Sequence, residues 1–216
     1  MGDIINILLL GIDGRMGKKI YQSLKKYGFN IKGFDFLSKK RDYVITEFDD
    51  VNPNDYDWLV DFSNEAISKK MTKLFLENGK NVISGTTGID FDVLDEFREL
   101  AKKNNAKYIH RVNFAKSFCE FESLAKDISK KMQHNIIVES HDFSKADRPS
   151  GSALRLLKVL KLNPDDVLSI RANEPCPYHS LISSNEHEKI IITHQILSKD
   201  AFVEGFLDLF LKEVGV

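Results

Sequence analysis

Residues 5–17 read INILLLGIDGRMG, a short apolar run that leads directly into three glycines spaced three residues apart. A continuous apolar run of this length is typical of a strand that is buried on both faces of a parallel sheet. Residues 15–27 continue with a helical pattern that stops at a glycine, and residues 31–36 again resemble a strand. The segment therefore predicts a strand–helix–strand unit of about 30 residues.

The glycines of this unit form a GxxGxxG variant of the dinucleotide-binding fingerprint, placed between a strand and a helix as that motif requires. Glycines let the backbone approach a pyrophosphate, and the helix N-terminus supplies amide donors and positive potential. A guanidinium at the same place could add a charge-assisted contact. The alternative is a tight strand-to-helix turn without a ligand. The candidate cofactor residues are Gly11, Asp13, Gly14, Arg15 and Gly17.

Asp35 lies at the end of the second predicted strand, 18 residues beyond Gly17. An acidic side chain at this position accepts hydrogen bonds from the adenosine ribose and favours NADH. Lys39, Lys40 and Arg41 follow, and they either bind the 2′-phosphate of NADPH or form a solvated loop. The sequence thus predicts NADH or NADPH as the cofactor, with a preference for NADH.

The alternation of strands and helices continues beyond this unit. Strands are predicted at 58–62, 81–84 and 107–111, separated by helices at 65–78 and 90–104. Strands that alternate with helices imply a parallel sheet covered on both faces. The predicted fold class is therefore α/β, a Rossmann-type doubly wound parallel sheet.

The pattern changes in the second half of the chain. A helix is predicted at 117–132, where Ser117 and Glu120 fit a capping box. Further on, strands at 178–184 and 189–196 follow each other without an intervening helix and predict a hairpin. These features predict a smaller, partly antiparallel α+β domain.

Two predicted strands of the first domain end in small or polar residues at the same edge of the sheet. Gly85, Thr86 and Thr87 follow one strand in a Gly-Thr-Thr-Gly loop, and Phe62 and Ser63 stand at the end of another. Ligands of open α/β sheets bind outside the carboxyl ends of the strands, where small residues let a flat nicotinamide lie against the backbone. All five are candidate cofactor residues, the alternatives being an ordinary loop and a core position for Phe62.

Residues 139–154 read ESHDFSKADRPSGSAL and combine an imidazole, an ammonium group and a predicted helix N-terminus. Lys145 could pair with a substrate carboxylate or donate a proton to an imine nitrogen after hydride transfer, and His141 could be the acid or orient it. A capped helix start with exposed amides suits a carboxylate. The alternative is a surface loop before a capped helix. The predicted carboxylate-binding residues are Ser150, Gly151 and Ser152.

The composition is that of an ordinary globular protein, with 42% apolar and 29% charged residues among 216 and a net charge of −1. This balance excludes a global attraction to nucleic acid or to an anionic membrane. Cys119 and Cys176 match no zinc or CxxC spacing, and no signal-like or membrane-spanning run occurs, so we expect reduced thiols in a cytoplasmic protein. No acid/His spacing predicts a metal site. The histidines expected to be structural or superficial are His134, His179, His187 and His194.

Five motifs stand in the order in which they occur in dihydrodipicolinate reductases: GxxGRMG, VDFS, GTTG, Asn113-Phe114 and ExHxxxKxDxPSGSAL. The chain resembles that family from about residue 4 to residue 202. The resemblance implies reduction of a dihydrodipicolinate-type cyclic imine to tetrahydrodipicolinate by NADH or NADPH, in lysine and diaminopimelate biosynthesis.

The resemblance also implies roles for single residues. It assigns His141 and Lys145 to the catalytic pair, and Gly151 and Ser152 to the substrate carboxylate. The positions that match the cofactor side are Gly11, Arg15, Met16, Gly17, Asp35, Gly85, Thr87, Asn113 and the adjacent Phe114. The implied domains are 1–112 with 196–216 for the dinucleotide, and 113–195 for the substrate and for assembly into a homotetramer.

Several positions depart from the family pattern. Asp142 stands where the family has a second histidine, so this candidate substrate residue changes the charge of the predicted site. Lys116, within Ala115-Lys116-Ser117, could compensate, and Phe36 in place of arginine disfavours NADPH. The departures leave two alternative functions: a related two-domain dehydrogenase for another amino or imino acid, or a nucleotide-binding regulatory protein without catalysis.

Overall fold

The computed structural model describes residues 4–39, 41–173 and 176–216. The chain forms two compact units, Met1–Arg111 with Leu209–Val216 and Val112–Asp208. Residues 196–208, which the domain prediction assigned to the first domain, belong to the second unit. The reason is that Ile196 is part of the core of the second unit and Phe202 packs against that core.

The first unit is a parallel sheet with helices. Its elements are β1 (Asn6–Leu10), α1 (Arg15–Leu24), β2 (Asn30–Phe34), β3 (Val44–Ile45), β4 (Trp58–Asp61), α2 (Glu65–Glu77), β5 (Asn81–Ser84), α3 (Phe91–Lys103) and β6 (Tyr108–His110). The strand order is β3-β2-β1-β4-β5-β6, and every neighbouring pair is parallel. The predicted doubly wound sheet is therefore confirmed. The sequence analysis missed β3, because two residues are too few to carry a periodic pattern.

The central strands are apolar because both of their faces are covered. Residues 7–10 of β1 are fully buried, as are Leu59 and Val60 of β4. Phe75 of α2 and Phe97 of α3 belong to one buried cluster with side chains of these strands. Truncating a buried aromatic ring such as that of Phe75 to alanine typically costs roughly 3–5 kcal/mol of stability.

The second unit holds a smaller mixed sheet. Its elements are α4 (Lys116–Ser129), β7 (His134–Asp142), α5 (Gly151–Leu160), β8 (Val167–Ala172), β9 (Tyr178–Ser184), β10 (Lys189–Gln195) and α6 (Asp200–Val214), whose last residues belong to the first unit. The strand order is β10-β9-β7-β8, with β7 and β8 parallel and the other pairs antiparallel. The predicted hairpin is confirmed. Within the described ranges, no helix has the length and hydropathy of a membrane span.

The register of this sheet divides its side chains between two faces. Glu139 pairs with His179 on β9, and His141 pairs with Arg171 on β8. Because paired residues and residues two apart on a strand share a face, these four side chains lie on the same side of the sheet. The opposite face carries Ile136, which pairs with another isoleucine of β9.

The start of α4 corrects one prediction. The helix begins at Lys116, its N-cap is Ala115, and no side chain caps it, so the capping box of Ser117 and Glu120 is wrong. Ser117 lies within the helix instead, and its hydroxyl is 3.0 Å from Nε2 of His194. The hydroxyl thus serves a long-range contact that a local pattern does not reveal.

Candidate functional site

The glycine-rich loop between β1 and α1 leaves no room for a side chain at two of its glycines. Gly11 has a φ of +70°, and a Cβ atom there would lie 2.5 Å from the carbonyl oxygen of Phe62. A Cβ atom on Gly17 would lie 2.0 Å from the carbonyl oxygen of Gly11. Both contacts are far inside van der Waals distance, so glycine is required at both positions.

The first turn of α1 faces this loop without a side-chain cap. Gly14 is the N-cap residue, and no side chain accepts a hydrogen bond from the first amides of the helix. Arg15, which follows, is exposed, and Met16 is half-buried. The uncapped amides of a helix start carry positive potential and are suited to an anion.

A cleft of about 770 Å³ lies beside the loop. It brings together the predicted Asp13, Gly14 and Asp35 with part of the basic segment that follows β2. Asp35 accepts a hydrogen bond of 3.1 Å from the backbone amide of Leu37, which bends the chain at the mouth of the cleft. The lining residues are Asp13, Gly14, Lys18, Asp35, Leu37, Ser38, Lys39 and Arg41.

Arg41 is not part of a solvated loop. Its guanidinium pairs with the carboxylate of Asp13, which also accepts a hydrogen bond from the Ser38 hydroxyl, and it stacks 5.1 Å from the ring of Tyr43. The Ser38 hydrogen bond, aided by the Arg41 guanidinium, holds the pKa of Asp13 below its usual range although burial acts in the opposite sense. Lys40, the middle residue of the predicted basic cluster, lies outside the described residues.

A fully buried carboxylate, that of Asp61, joins the ends of β4 and β5. Its two oxygens accept hydrogen bonds from the hydroxyls of Ser63 (2.5 Å), Ser68 (2.5 Å) and Ser84 (2.7 Å), and from the backbone amide of Ser63 (3.0 Å). The sequence analysis quoted Asp61 only as part of a motif. The missed signal is an acidic residue at the end of an otherwise apolar strand, which must find donors to be buried.

The Gly-Thr-Thr-Gly loop is tied to this network. The backbone amide of Thr86 donates to the Ser84 hydroxyl (3.2 Å), and the Thr86 hydroxyl accepts from the Ser63 amide (3.1 Å). The backbone amide of Gly85 donates to the carbonyl of Asp61 (2.9 Å). Phe62, Gly85 and Thr87 are half-buried, so Phe62 is not a core residue. The fold therefore brings both predicted strand ends into one hydrogen-bonded edge.

The predicted cofactor residues Asn113 and Phe114 lie in the second unit. Asn113 accepts a hydrogen bond from the amide of Ala115 (2.9 Å) and donates one to the hydroxyl of Ser152 (3.3 Å). Phe114 is buried and packs edge-on against Phe206, with ring centroids 5.7 Å apart. Asn113 is thus in contact with a predicted substrate residue, and Phe114 packs in the core of its unit.

Glu139 and His141 form a side-chain pair on β7. Glu139 is fully buried; one of its oxygens accepts a hydrogen bond from His141 Nδ1, and the other accepts from Arg171 Nη1 at 2.9 Å. Burial by itself would raise the pKa of Glu139, but hydrogen bonds from His141, Ser169 and Arg171 outweigh it and lower the pKa to about 2. Glu139 is therefore an anion at neutral pH.

His179 joins this pair to the start of α5. Its ring is buried and lies edge-on to that of His141, with centroids 5.3 Å apart, and its Nε2 is 3.1 Å from the Ser150 hydroxyl. Burial first, and the nearby charge of His141 second, lower the pKa of His179 to about 3, so this ring is neutral. Of the two roles expected for His179, structural or superficial, the burial of the ring excludes the superficial one, and the register of β9 brings it into the cluster.

Lys145 lies in the turn after β7. Its ammonium is 2.8 Å from the carboxylate of Asp147 and its side chain is one-quarter exposed. The turn is held by Asp142, whose carbonyl accepts from the Lys145 amide (3.0 Å) and whose carboxylate accepts from the Ser144 amide (2.9 Å). The departure at Asp142 therefore has a local role in shaping the backbone that carries Lys145.

Ser150 is the N-cap of α5, as predicted. Its hydroxyl accepts a hydrogen bond of 3.3 Å from the Ala153 amide. Ser150, Gly151 and Ser152 are all buried, and the Ser152 hydroxyl accepts the hydrogen bond of Asn113. The predicted carboxylate-binding segment thus begins a helix in the same unit as His141.

The fold brings three residues with metal-ligand chemistry together although their spacing predicted no metal site. Ligand atoms of Glu139, His141 and His179 all lie within 4.8 Å of one another. Arg171, however, donates a charged hydrogen bond into Glu139, and the other oxygen of that carboxylate is bonded to His141. A guanidinium in this position opposes a second cation by like-charge repulsion, so the cluster is best described as a hydrogen-bonded network.

Comparison with known proteins covers nearly the whole chain. The family model described as "Dihydrodipicolinate reductase, N-terminus" matches residues 5–114, and the one described as "Dihydrodipicolinate reductase, C-terminus" matches residues 117–214. A relative from Dictyoglomus turgidum, named 4-hydroxy-tetrahydrodipicolinate reductase, is 27% identical over 248 residues, covering 94% of this chain and 91% of the relative.

Two solved structures share the fold. Dipicolinate-bound dihydrodipicolinate reductase from Paenisporosarcina sp. TG-14 superposes with a TM-score of 0.72 and 18% identity, over 97% of this chain and 94% of that one. The WlbA dehydrogenase from Thermus thermophilus, in complex with NAD and alpha-ketoglutarate, superposes with a TM-score of 0.65 and 12% identity, over 98% and 88% of the two chains.

Proposed function

The chain belongs to the dihydrodipicolinate reductase family of oxidoreductases, and we propose that it uses a reduced nicotinamide dinucleotide to convert a dihydrodipicolinate-type cyclic imine to tetrahydrodipicolinate. The enzyme name of the relatives, 4-hydroxy-tetrahydrodipicolinate reductase, supports this substrate class, and the proposal places the reaction in lysine and diaminopimelate biosynthesis. The direction of the reaction and the identity of the cofactor are argued below from the residues of this chain.

The observation that carries the proposal is the composition of the cluster in the second unit. An imidazole, His141, is oriented by a buried carboxylate, and a partly exposed ammonium, that of Lys145, lies in the next turn of the chain. The same unit supplies a capped helix start at Ser150, where the following amides suit a carboxylate. A substrate with a carboxylate and an imine nitrogen needs both an anion site and a proton donor.

The glycine loop supports the cofactor part of the proposal. A pyrophosphate requires close backbone approach and uncapped amides, and the loop at Gly11, Gly14 and Gly17 offers both. When bound, the reduced nicotinamide supplies the hydride. The solved WlbA relative of this fold holds NAD. By analogy, Arg15 would contact the pyrophosphate and Asp35 the adenosine ribose.

In the proposed reaction, hydride addition to the conjugated imine leaves an electron pair that must take up one proton. Lys145, or His141 once both of its ring nitrogens carry a proton, would supply it. Since Nδ1 of His141 donates to Glu139, Nε2 is the ring nitrogen that would face a ligand. Lys145 would hold the substrate carboxylate or deliver the proton itself, exchanging its partner Asp147 for the substrate.

We propose NADH as the preferred cofactor. A 2′-phosphate binds best to a guanidinium, but that of Arg41 is engaged by Asp13, and Asp35 adds a second carboxylate that offsets the Lys18 and Lys39 ammonium groups of the same cleft. The Ser38 hydroxyl, another suitable donor to phosphate, is also bonded to Asp13. NADPH would have to break these contacts and bring its extra charge close to two carboxylates.

We propose that the mixed sheet assembles copies of the chain into a homotetramer. The face of the sheet opposite to the His141 cluster exposes Ile136 (48%), Leu168 (56%) and Ile191 (57%). On this face Ile182 lies between Ile136 and Ile191, because it pairs with both across the neighbouring strands. Large aliphatic side chains clustered on one sheet face are typical of a protein–protein interface. Mass determination in solution tests this assembly.

The catalytic assignment is tested with Lys145→Ala and a control at the exposed Lys158, Lys158→Ala. We expect the turnover number of Lys145→Ala to fall at least about 100-fold, because general acids typically contribute that much. NADH affinity, measured by fluorescence titration, should change less than about twofold, because Lys145 is outside the glycine loop. Turnover like that of the unaltered protein in Lys145→Ala contradicts the assignment.

A further inference from the structure

Arg171 connects the two residues that the proposed function assigns to catalysis. Its side chain is 1% exposed and reaches from β8 to three different acceptors outside its own strand. Nη1 donates to Glu139 (2.9 Å), Nε donates to the carbonyl of Lys145 (3.2 Å), and Nη2 donates to the carbonyl of Asp147. One guanidinium therefore touches both the carboxylate that orients His141 and the backbone that carries Lys145.

We infer that Arg171 and Glu139 are positioning residues that together set the tautomer of His141 and the place of Lys145. The inference rests on the proposed function for its catalytic meaning, while the positioning itself concerns the free protein.

The Glu139 carboxylate sets the tautomer of His141. A neutral imidazole carries its proton on only one nitrogen, and the group bonded to the other nitrogen decides which. Here Glu139 can only accept, so His141 must carry its proton on Nδ1 and present Nε2 to a ligand. Arg171 keeps the carboxylate ionised and fixes its rotation by occupying the second oxygen.

The groups around His141 support this assignment. Glu139 on its own strand bonds to His141, Arg171 on β8 stands beside it in register, and His179 on β9 is neutral at physiological pH. The contact of His179 Nε2 with the Ser150 hydroxyl directs that nitrogen away from Glu139. Glu139 thus has His141 as its imidazole partner in the network.

The second half of the inference concerns the turn. The carbonyls of Lys145 and Asp147 both accept from Arg171, so the two ends of this short segment are fixed by one side chain. The Lys145 ammonium is in turn held by the Asp147 carboxylate. A lysine in place of Arg171 cannot reproduce the contacts, because an ammonium is a single point of donation whereas the guanidinium is a planar fork.

The experiment uses the full chain with ¹⁵N-labelled histidine. Long-range ¹H–¹⁵N spectra report which ring nitrogen of His141 carries the proton, and they are recorded for the unaltered protein, Glu139→Gln and Arg171→Lys. The control is Arg155→Lys, because Arg155 forms a comparable two-bond pair with Glu122 (2.6 and 2.8 Å) on the surface of the same unit.

We expect the neutral His141 ring of the unaltered protein to carry its proton on Nδ1. Glu139→Gln and Arg171→Lys should shift the ¹⁵N pattern of this ring towards the other tautomer. Both variants should lower the turnover number at least about 10-fold, while NADH affinity stays within about twofold of that of the unaltered protein. Arg155→Lys should change neither the tautomer, nor the turnover number, nor the NADH affinity. A proton on Nε2 in the unaltered protein overturns the inference, even if a variant does not fold. An unchanged tautomer in a folded Glu139→Gln variant also overturns the inference.

The spectra are recorded without substrate, so they test the positioning independently of the proposed function. If the protein reduces no dihydrodipicolinate-type imine, the proposed function is contradicted, but the result on the His141 tautomer remains valid.

Discussion

Among the described residues, each unit of the protein buries one carboxylate completely, and the two differ in the partners that satisfy them. Asp61, at the carboxyl edge of the parallel sheet, accepts hydrogen bonds from three serine hydroxyls and a backbone amide. Glu139, in the mixed sheet, accepts hydrogen bonds from a guanidinium and an imidazole, in addition to the one from Ser169. Both solutions meet the requirement that a buried charge be bonded.

The difference separates a network that shapes a loop from one that acts on a titratable group. Hydroxyls and amides keep their protons over the physiological range, so the donors that fix the two strand ends around Asp61 do not change their charge. An imidazole can change its charge and its tautomer, so the hydrogen bond from Nδ1 of His141 to Glu139 influences both. The chemistry of the protein is therefore expected to depend on the second network, and the shape of the cofactor loop on the first.

The largest effect is expected from Asp61→Ala. Two buried donors and two part-buried donors lose their acceptor, and at about 1 kcal/mol each the free energy of unfolding should fall by roughly 4 kcal/mol. Urea unfolding measures this loss. Asp95→Ala is the control, because Asp95 pairs with Arg98 on the surface and should cost less than about 1 kcal/mol. Equal losses in the two variants would show that the Asp61 network does not stabilise the sheet edge.

Glu139→Gln should produce a loss that depends on pH. The folded-state pKa of Glu139 is lowered from 4.5 to about 2, so the stabilisation by the carboxylate is fully present above pH 4.5 and is lost as the pH falls towards 2. The shift corresponds to on the order of 3 kcal/mol at neutral pH. The stability gap between the unaltered protein and the variant should narrow by about 1 kcal/mol from pH 7 to pH 4. A gap that is constant over this range contradicts the charged description of the network.

His179→Gln tests a second group that makes the stability sensitive to acid. Its effect on the free energy of unfolding begins at a higher pH than that of Glu139. The pKa of His179 is lowered from 6.5 to about 3, so the unfolded chain takes up a proton below pH 6.5 that the folded protein excludes. The unaltered protein should therefore lose about 2 kcal/mol more than the variant between pH 7 and pH 5. His187→Gln, at an exposed position, should keep the pH dependence of the unaltered protein. The same dependence in His179→Gln means that the ring is charged or solvated in the folded state.

The smallest effect is expected at the cofactor cleft. Asp13→Asn removes one negative charge and releases Arg41 and Ser38, so the ratio of NADPH to NADH affinity should rise about fivefold, a change of about 1 kcal/mol. Asp42→Asn is the control, since Asp42 is exposed nearby in the chain. Titration of both cofactors measures the ratio without any substrate. An unchanged ratio contradicts the role of the Asp13–Arg41 pair in cofactor preference.

The sequence predicted the parallel sheet well because its signals are local. The apolar run before Gly11, the glycine spacing and the alternation of strands and helices each lie within one segment, and the sheet follows from them. The N-cap at Ser150 was predicted for the same reason. The capping box at Ser117 was wrong because a distant partner, His194, competes for the hydroxyl.

The site was predicted only in part because its remaining members depend on register. His141 and Lys145 stand out in one segment, but Arg171 and His179 come from β8 and β9, and only the strand pairing brings them to Glu139. A shift of one residue in either pairing would move these side chains to the other face of the sheet. The sequence pattern does not specify that register, so the hydrogen-bonded network around Glu139 could not be predicted from the sequence.

The proposed reductase activity is measured by following the absorbance of reduced nicotinamide with the unaltered protein, while dihydrodipicolinate synthase supplies the substrate in the same solution. We expect rapid loss of NADH that requires the substrate, and a slower loss of NADPH. Absence of substrate-dependent oxidation of either cofactor, in a protein that demonstrably binds NADH, would contradict it and would favour a different imine substrate or a non-catalytic nucleotide-binding role.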